Sequence, residues 1–91
     1  ALVVNVGRGP LIDTDALGRH TAAGRLRAAL DVTDPEPLPP GHPLWSSPGV
    51  LISPHVGGDS SAMHPRIAAL VRRQMAHLLA GEAPENIVVR T

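Results

Sequence analysis

The chain has no cysteine, no phenylalanine and no tyrosine, and Trp45 is its single large aromatic residue. Without cysteine there is neither a disulfide framework nor thiolate chemistry, which fits a reducing cytosol. The shortage of aromatics removes side chains that usually supply much of a small core, so Ala, Leu and Val must do the packing. Net charge is missing too, because eight basic residues balance eight acidic ones. No net field then favours nucleic acid or an anionic membrane. No apolar run approaches the ~20 residues that cross a bilayer, and the start of the chain lacks the basic region of a signal peptide. The expectation is a soluble cytoplasmic protein with neither nucleic acid nor membrane as partner.

At 91 residues there is room for one small domain at most. A domain of that size buries only ~60–65% of the surface its unfolded chain exposes. The chain opens directly on the apolar run Ala1-Leu2-Val3-Val4, which is expected of the middle of something larger.

Three continuous apolar runs bounded by turn residues read as strands of a parallel sheet covered on both faces. They are Leu2 to Val6, Ala28 to Val32 and Val50 to Ser53. Between the first two, Asp13 or Thr14 can cap the free N–H groups of a first helical turn, and Gly24 can end that helix at positive φ. Strand, helix and strand make a βαβ unit with a right-handed crossover. From Asp34 to Pro48 the chain carries six of its ten prolines, so neither helix nor central strand is expected there. After a turn at Gly57-Gly58-Asp59-Ser60-Ser61, the apolar positions Ile67, Leu70, Val71, Met75, Leu78 and Leu79 follow the spacing of one helical face. Pro65 must sit in the first turn of that helix or bend it, Gly81 ends it, and Asn86-Ile87-Val88-Val89 reads as an extended tail. The fold class is therefore α/β, with about three parallel strands, a crossover helix and a long C-terminal helix. One sheet face would remain bare unless other residues cover it.

Ligands of open parallel sheets bind beyond the carboxyl ends of the strands, and Arg8, Asp31 and His55 fall there, one after each run. Arg8 presents a planar fork suited to a carboxylate, although an arginine after a strand also serves as an ordinary surface or capping residue. His55 follows Pro54 and can give or take a proton near neutral pH, unless it is a structural histidine at a strand end. Glu36, fixed between Pro35 and Pro37, is the acid expected beside it; the alternative is a solvated loop glutamate. Asp31 closes an apolar run, where a carboxylate must be paired, either with a cofactor amide or with the turn it caps. His20, His42, His64 and His77 are expected to have no matching acid nearby. No pair of histidines has zinc spacing, so no metal site is expected. Gly7-Arg8-Gly9-Pro10-Leu11-Ile12 begins like a dinucleotide fingerprint but lacks its third glycine. Gly7, Gly9 and the Gly57-Gly58 pair are expected to allow close approach of a ligand, or else to form tight turns.

These motifs, in this order, resemble the C-terminal half of the nucleotide-binding domain of D-isomer-specific 2-hydroxyacid dehydrogenases. The likeness rests on Asn5-Val6-Gly7-Arg8-Gly9, Ala29-Leu30-Asp31-Val32, Glu36-Pro37, His42-Pro43-Leu44-Trp45 and Pro54-His55-Val56-Gly57-Gly58. It implies a partial Rossmann-like fold, with residues 1–62 the C-terminal half of a dinucleotide-binding domain and 63–91 a helix and tail returning toward a substrate domain. The N-terminal half of the binding domain and the substrate domain would lie outside the chain, and the intact protein would be a homodimer. By position, Arg8 would hold the substrate carboxylate and carbonyl, His55 would donate and accept the proton, and Glu36 would partner His55. Val6, Gly7, Arg8, Asp31, His55, Val56, Gly57 and Gly58 would face the nicotinamide end of NAD or NADP. The implied reaction is hydride transfer between that cofactor and a small 2-keto or 2-hydroxy acid, by an enzyme of which this piece alone would be inactive. Two other readings remain at this point: a non-catalytic NAD(H)-sensing module or corepressor on the same scaffold, and a small α/β protein that dimerises through its bare face.

Overall fold

The computed structural model describes residues 1–90, which group into a first unit, residues 1–58, and a second that begins at Asp59. The first unit holds strand β1 (Leu2–Asn5), helix α1 (Thr14–Ala22), strand β2 (Arg27–Leu30) and strand β3 (Val50–Ile52). The strands run parallel in the order β1-β2-β3, with Val3 opposite Ala28 and Ala28 opposite Val50. The three expected strands therefore form, each ending one or two residues early, where the chain turns toward the rim.

Local chemistry sets the ends of α1. The Asp13 carboxylate accepts from the Ala16 N–H at 2.8 Å, satisfying one of the donors a first turn leaves free. At the other end Gly24 takes φ +68°, and the N–H groups of Gly24 and Arg25 reach back to the carbonyls of Thr21 and His20. Those paired bonds close the helix as a Schellman motif, which needs a left-handed residue that glycine supplies without a Cβ penalty.

The core lies on one face of the sheet. Leu17 of α1, Ala28 and Leu30 of β2, Leu38 and Leu44 are buried together, with Ile12, Leu26, Val50 and Ile52 packed against them. Leu38 and Leu44 come from the proline-rich segment, which thus covers the sheet in the way a second helix otherwise would. Where its prolines lead to the expectation of neither helix nor central strand, Pro43–Trp45 form one short 3-10 turn. Proline is tolerated at the start of such a turn because the N–H it lacks would have no partner there. On the opposite face, Val4, Ala29 and Leu51 form a row across the three strands, and Val4 and Leu51 are 59% and 69% exposed. The bare face expected from the element count is present.

In the second unit, α2 (Met63–Leu79) carries Pro65 at its third position, inside the first turn as expected. Gly81 at φ +72° ends it with the same paired bonds, Gly81 N–H to Leu78 and Glu82 N–H to His77. None of the α2 residues is buried, so its apolar face through Ile67, Val71, Met75 and Leu78 is open. The stretch after it departs from the extended tail read from sequence. Asn86 is left-handed at φ +58°, and Gln74 binds both the N–H and the carbonyl of Glu85 at 2.9 Å. A side chain of α2 thereby folds the tail back onto the helix. No helix among the described residues is long and apolar enough to cross a membrane.

Candidate active site

A polar residue stands at or just after the end of each strand, Asn5 of β1, Asp31 after β2 and Ser53 after β3, and braces the backbone there. After β1, the buried Asn5 side chain donates to the Arg8 carbonyl at 2.9 Å and accepts from the Gly7 N–H at 3.1 Å. The turn carrying Arg8 is therefore held from inside the core. Arg8 itself is exposed, and one guanidinium nitrogen donates to the Gly7 carbonyl at 2.7 Å. Among the described residues no hydrogen bond or ion pair joins Arg8 to Glu36 or His55, so its remaining donors face solvent.

Glu36 and His55 do meet. His55 Nδ1 lies 2.7 Å from Glu36 Oε1, and the two side chains are 46% and 38% exposed. An ionised carboxylate only accepts, so Nδ1 carries the hydrogen and Nε2 is left to exchange a proton. The Glu36 loop is fastened from two sides: the Thr14 hydroxyl donates to the Asp34 carbonyl at 2.6 Å, and the Thr33 hydroxyl to the Pro35 carbonyl at 2.9 Å. A cleft of about 360 Å³, walled by Leu38, Trp45, Ile52 and Pro54, opens beside Glu36.

Asp31, only 8% exposed, accepts from the Ser53 hydroxyl at 2.6 Å, the Val56 N–H at 2.9 Å and the Gly57 N–H at 2.7 Å. These three bonds, the Ser53 hydroxyl foremost, hold its carboxyl below the usual aspartate range, with a smaller contribution from the His55 charge. Of the two roles open in the sequence, capping the turn is the one its contacts account for. Three bonds leave one of the roughly four acceptor positions of a carboxylate free.

The glycines also resolve. A Cβ on Gly9 would lie 2.0 Å from the Thr33 carbonyl oxygen, and one on Gly57 would lie 2.9 Å from Asp31 Oδ2. Both close approaches are to the protein's own chain. His77 overturns the expectation that it has no acid: Nδ1 lies 2.6 Å from Glu82 and Nε2 3.3 Å from Glu85. Both acids come from the tail that folds back, which helical periodicity does not register. Among the described residues His20 accepts from Arg25 and His42 caps the Pro43 turn.

Sequence reasoning missed three contributors to this rim, namely the bracing Asn5, the hydroxyl of Ser53 and the conformation of His55, whose φ is +57°. Asn5 had a usable signal, a polar residue at a core-facing position of an apolar strand.

The model of the D-isomer specific 2-hydroxyacid dehydrogenase NAD binding domain matches residues 1–57, well over half of the chain. The chain belongs to that family. A glyoxylate reductase of Thermofilum pendens is 39% identical over 89 residues, which are 97% of this chain and 26% of the relative. Among solved structures, a D-isomer specific 2-hydroxyacid dehydrogenase from Xanthobacter autotrophicus Py2, in complex with NADPH and MES, superposes with a TM-score of 0.86 at 37% identity. That match covers 98% of this chain and 36% of the other. An NADPH-dependent glyoxylate/hydroxypyruvate reductase from Sinorhizobium meliloti, in complex with NADP and sulfate, gives 0.81 at 31% identity, covering 96% and 27%. The chain thus spans about a quarter to a third of the length of the relatives it matches.

Proposed function

We propose that this chain supplies the catalytic rim of an enzyme that transfers hydride between NAD or NADP and a small 2-keto or 2-hydroxy acid. The observation that carries the reading is the His55–Glu36 pair, 2.7 Å apart at the carboxyl edge of a parallel sheet. Arg8, on the loop after the adjoining strand end, has guanidinium donors to spare for a substrate carboxylate.

The nicotinamide end of a dinucleotide fits the groups at this edge. A flat carboxamide-bearing ring needs an unencumbered wall and polar partners; the exposed Val56-Gly57-Gly58 turn offers the first, and the Val6-Gly7-Arg8 backbone with the spare acceptor position of Asp31 the second. When bound, that cofactor supplies or takes up the hydride. Arg8 binds the substrate carboxylate and polarises the neighbouring carbonyl, while His55 Nε2 gives its proton to the carbonyl oxygen. Glu36 accepts from Nδ1 and so fixes the ring's orientation. In the reverse direction Nε2 takes the hydroxyl proton.

The reading extends to the surroundings of the chain. Residues beyond it hold the dinucleotide phosphates and the substrate side chain, residues 63–91 lead back toward the substrate domain, and the intact enzyme is a cytoplasmic homodimer. The direct test is His55→Ala in the intact protein, assayed with glyoxylate and hydroxypyruvate against NADH and NADPH. Turnover should fall by about 10²–10⁴ with cofactor affinity nearly unchanged. Turnover at the original level would sink the assignment.

A further inference from the structure

The backbone of His55 is in a region that a residue with a Cβ enters only when its surroundings compel it. The surroundings are specific. Ser53 N–H donates to the Leu30 carbonyl at 2.8 Å, its carbonyl accepts from the His55 N–H at 3.0 Å, and its hydroxyl reaches Asp31 at 2.6 Å. One residue therefore ties the end of β2 to the His55 amide. On the far side of His55 the N–H groups of Val56 and Gly57 converge on the same Asp31 carboxylate. Pro54, between Ser53 and His55, has its own φ fixed by its ring. Residues 53, 54, 56 and 57 are all constrained, and His55 absorbs the remaining rotation. Gly57 belongs to the device because a side chain there would press on Asp31 Oδ2.

We propose that Ser53 and Asp31 are positioning residues, a brace that holds His55 in the left-handed conformation from which its ring meets Glu36. Neither side chain touches the imidazole in a hydrogen bond, so both act through the backbone of the turn. The inference rests on the reading of His55 as proton donor for its kinetic consequence, but the conformational claim stands on its own geometry.

The primary variant is Ser53→Ala in the intact protein, because the hydroxyl can be removed while the N–H and carbonyl bonds of residue 53 stay. Ser53→Thr restores a hydroxyl at the same point. The first readout is the downfield NMR signal of the His55 Nδ1 proton, assigned by its loss in His55→Ala, which reports the bond to Glu36 without requiring turnover. That signal should weaken in Ser53→Ala, disappear in Asp31→Asn and return in Ser53→Thr. The second readout is kinetic: kcat should fall about tenfold or more in Ser53→Ala with KM for the keto acid changed less, since a misplacement of about 1 Å can cost up to 10²-fold. Threonine should recover most of it.

An unchanged Nδ1 signal in both Ser53→Ala and Asp31→Asn would overturn the brace, even if both proteins melt earlier. Should Asp31→Asn fail to fold, Gly57→Ala tests the same claim from the other side, and a signal that survives it together with Ser53→Ala counts against the proposal. If the signal responds as expected while His55→Ala keeps full turnover, the brace is supported and it is the dehydrogenase reading that fails.

Discussion

Among the described residues two histidines each lie against a carboxylate at nearly equal distance, and their second ring nitrogens differ. His55 lies 2.7 Å from Glu36, and His77 lies 2.6 Å from Glu82. The His77 ring is bound through both nitrogens, by Glu82 and Glu85, and Glu85 is also bound by Arg73 at 3.2 Å. Nothing on that ring is left to meet a substrate. The His55 ring is held through one nitrogen by an acid 19 residues away, and among the described residues no hydrogen bond engages Nε2. A short distance to a carboxylate thus describes a pair without giving it a role. What separates the two is a vacant second nitrogen and a backbone locked by Asp31.

The sharpest way to break that comparison is to remove each acid in turn. Glu36→Gln should lower kcat of the intact protein by about 10–10², because the imidazole loses the carboxylate that orients it. Glu85→Gln should leave kcat within about twofold, the size expected of an exposed surface pair. Stopped-flow turnover of both variants checks the two outcomes together. Equal losses would mean that the pairs are functionally alike and the distinction drawn from the vacant nitrogen is wrong.

The next effect is on folding. Gly9→Ala would drive a Cβ to 2.0 Å from the Thr33 carbonyl, a backbone atom that cannot swing aside. Overpacking of this kind costs typically about 1–3 kcal/mol. The displaced segment leads straight to Glu36, so kcat should fall with stability. Gly18→Ala in α1, where an added Cβ meets nothing within 4 Å, is the control and should be neutral or slightly stabilising. Denaturant melts of the two variants set the cost of the contact that holds the Glu36 loop.

Much of this architecture is legible from residue order alone, and the remainder is illegible for a definable reason. Apolar runs, the Asp13 cap and the stops at Gly24 and Gly81 are local signals, and each produced its element to within a residue or two. Arg8, Glu36 and His55 stand out because their residue types are unusual at strand ends and between prolines. What stayed hidden depends on partners far along the chain. Gly9 meets Thr33, 24 positions on; Asp31 meets Ser53 across 22 positions and Gly57 across 26. Such contacts are set by strand register, which a periodicity does not encode. His77 was misread for a related reason: its acids follow the helix in sequence and return to it only because Gln74 binds the backbone of Glu85.

A smaller effect separates the two regions by acid and by salt. The carboxyls of Asp31 and Glu85 both sit below their ordinary values, Asp31 mainly through hydrogen bonds from Ser53, Val56 and Gly57, and Glu85 mainly through Arg73. A depressed carboxyl stabilises the fold fully above its unfolded value, ~3.9 for Asp and ~4.3 for Glu. That contribution is lost as pH falls through the lower folded value. Stability should therefore decline below about pH 4, less so in Asp31→Asn and in Glu85→Gln. Added salt should blunt the Glu85 part, because a solvent-facing ion pair is screened, and spare the Asp31 part, which rests on neutral donors in a buried position. Acid titrations at low and high salt, followed by amide exchange in each region, measure both. Equal salt sensitivity would show that the Asp31 brace is electrostatic at range rather than built of hydrogen bonds.

The smallest effect isolates what the His77 pair does contribute. Gln74 spends its whole amide on the backbone of Glu85, donating to the carbonyl and accepting from the N–H, so the tail is tied at one residue. Gln74→Ala removes both bonds at a partly exposed position, where each is worth about 0.5–1.5 kcal/mol. The tail should fray, and with it the contacts of Glu85 to Arg73 and His77, since Glu85 can reach them only while its backbone is held. Faster amide exchange confined to residues 82–90, with kcat and the His55 Nδ1 signal unaltered, is the expected pattern. It would assign the second pair to fastening the segment after α2, a task in which both ring nitrogens can be committed because no proton has to leave.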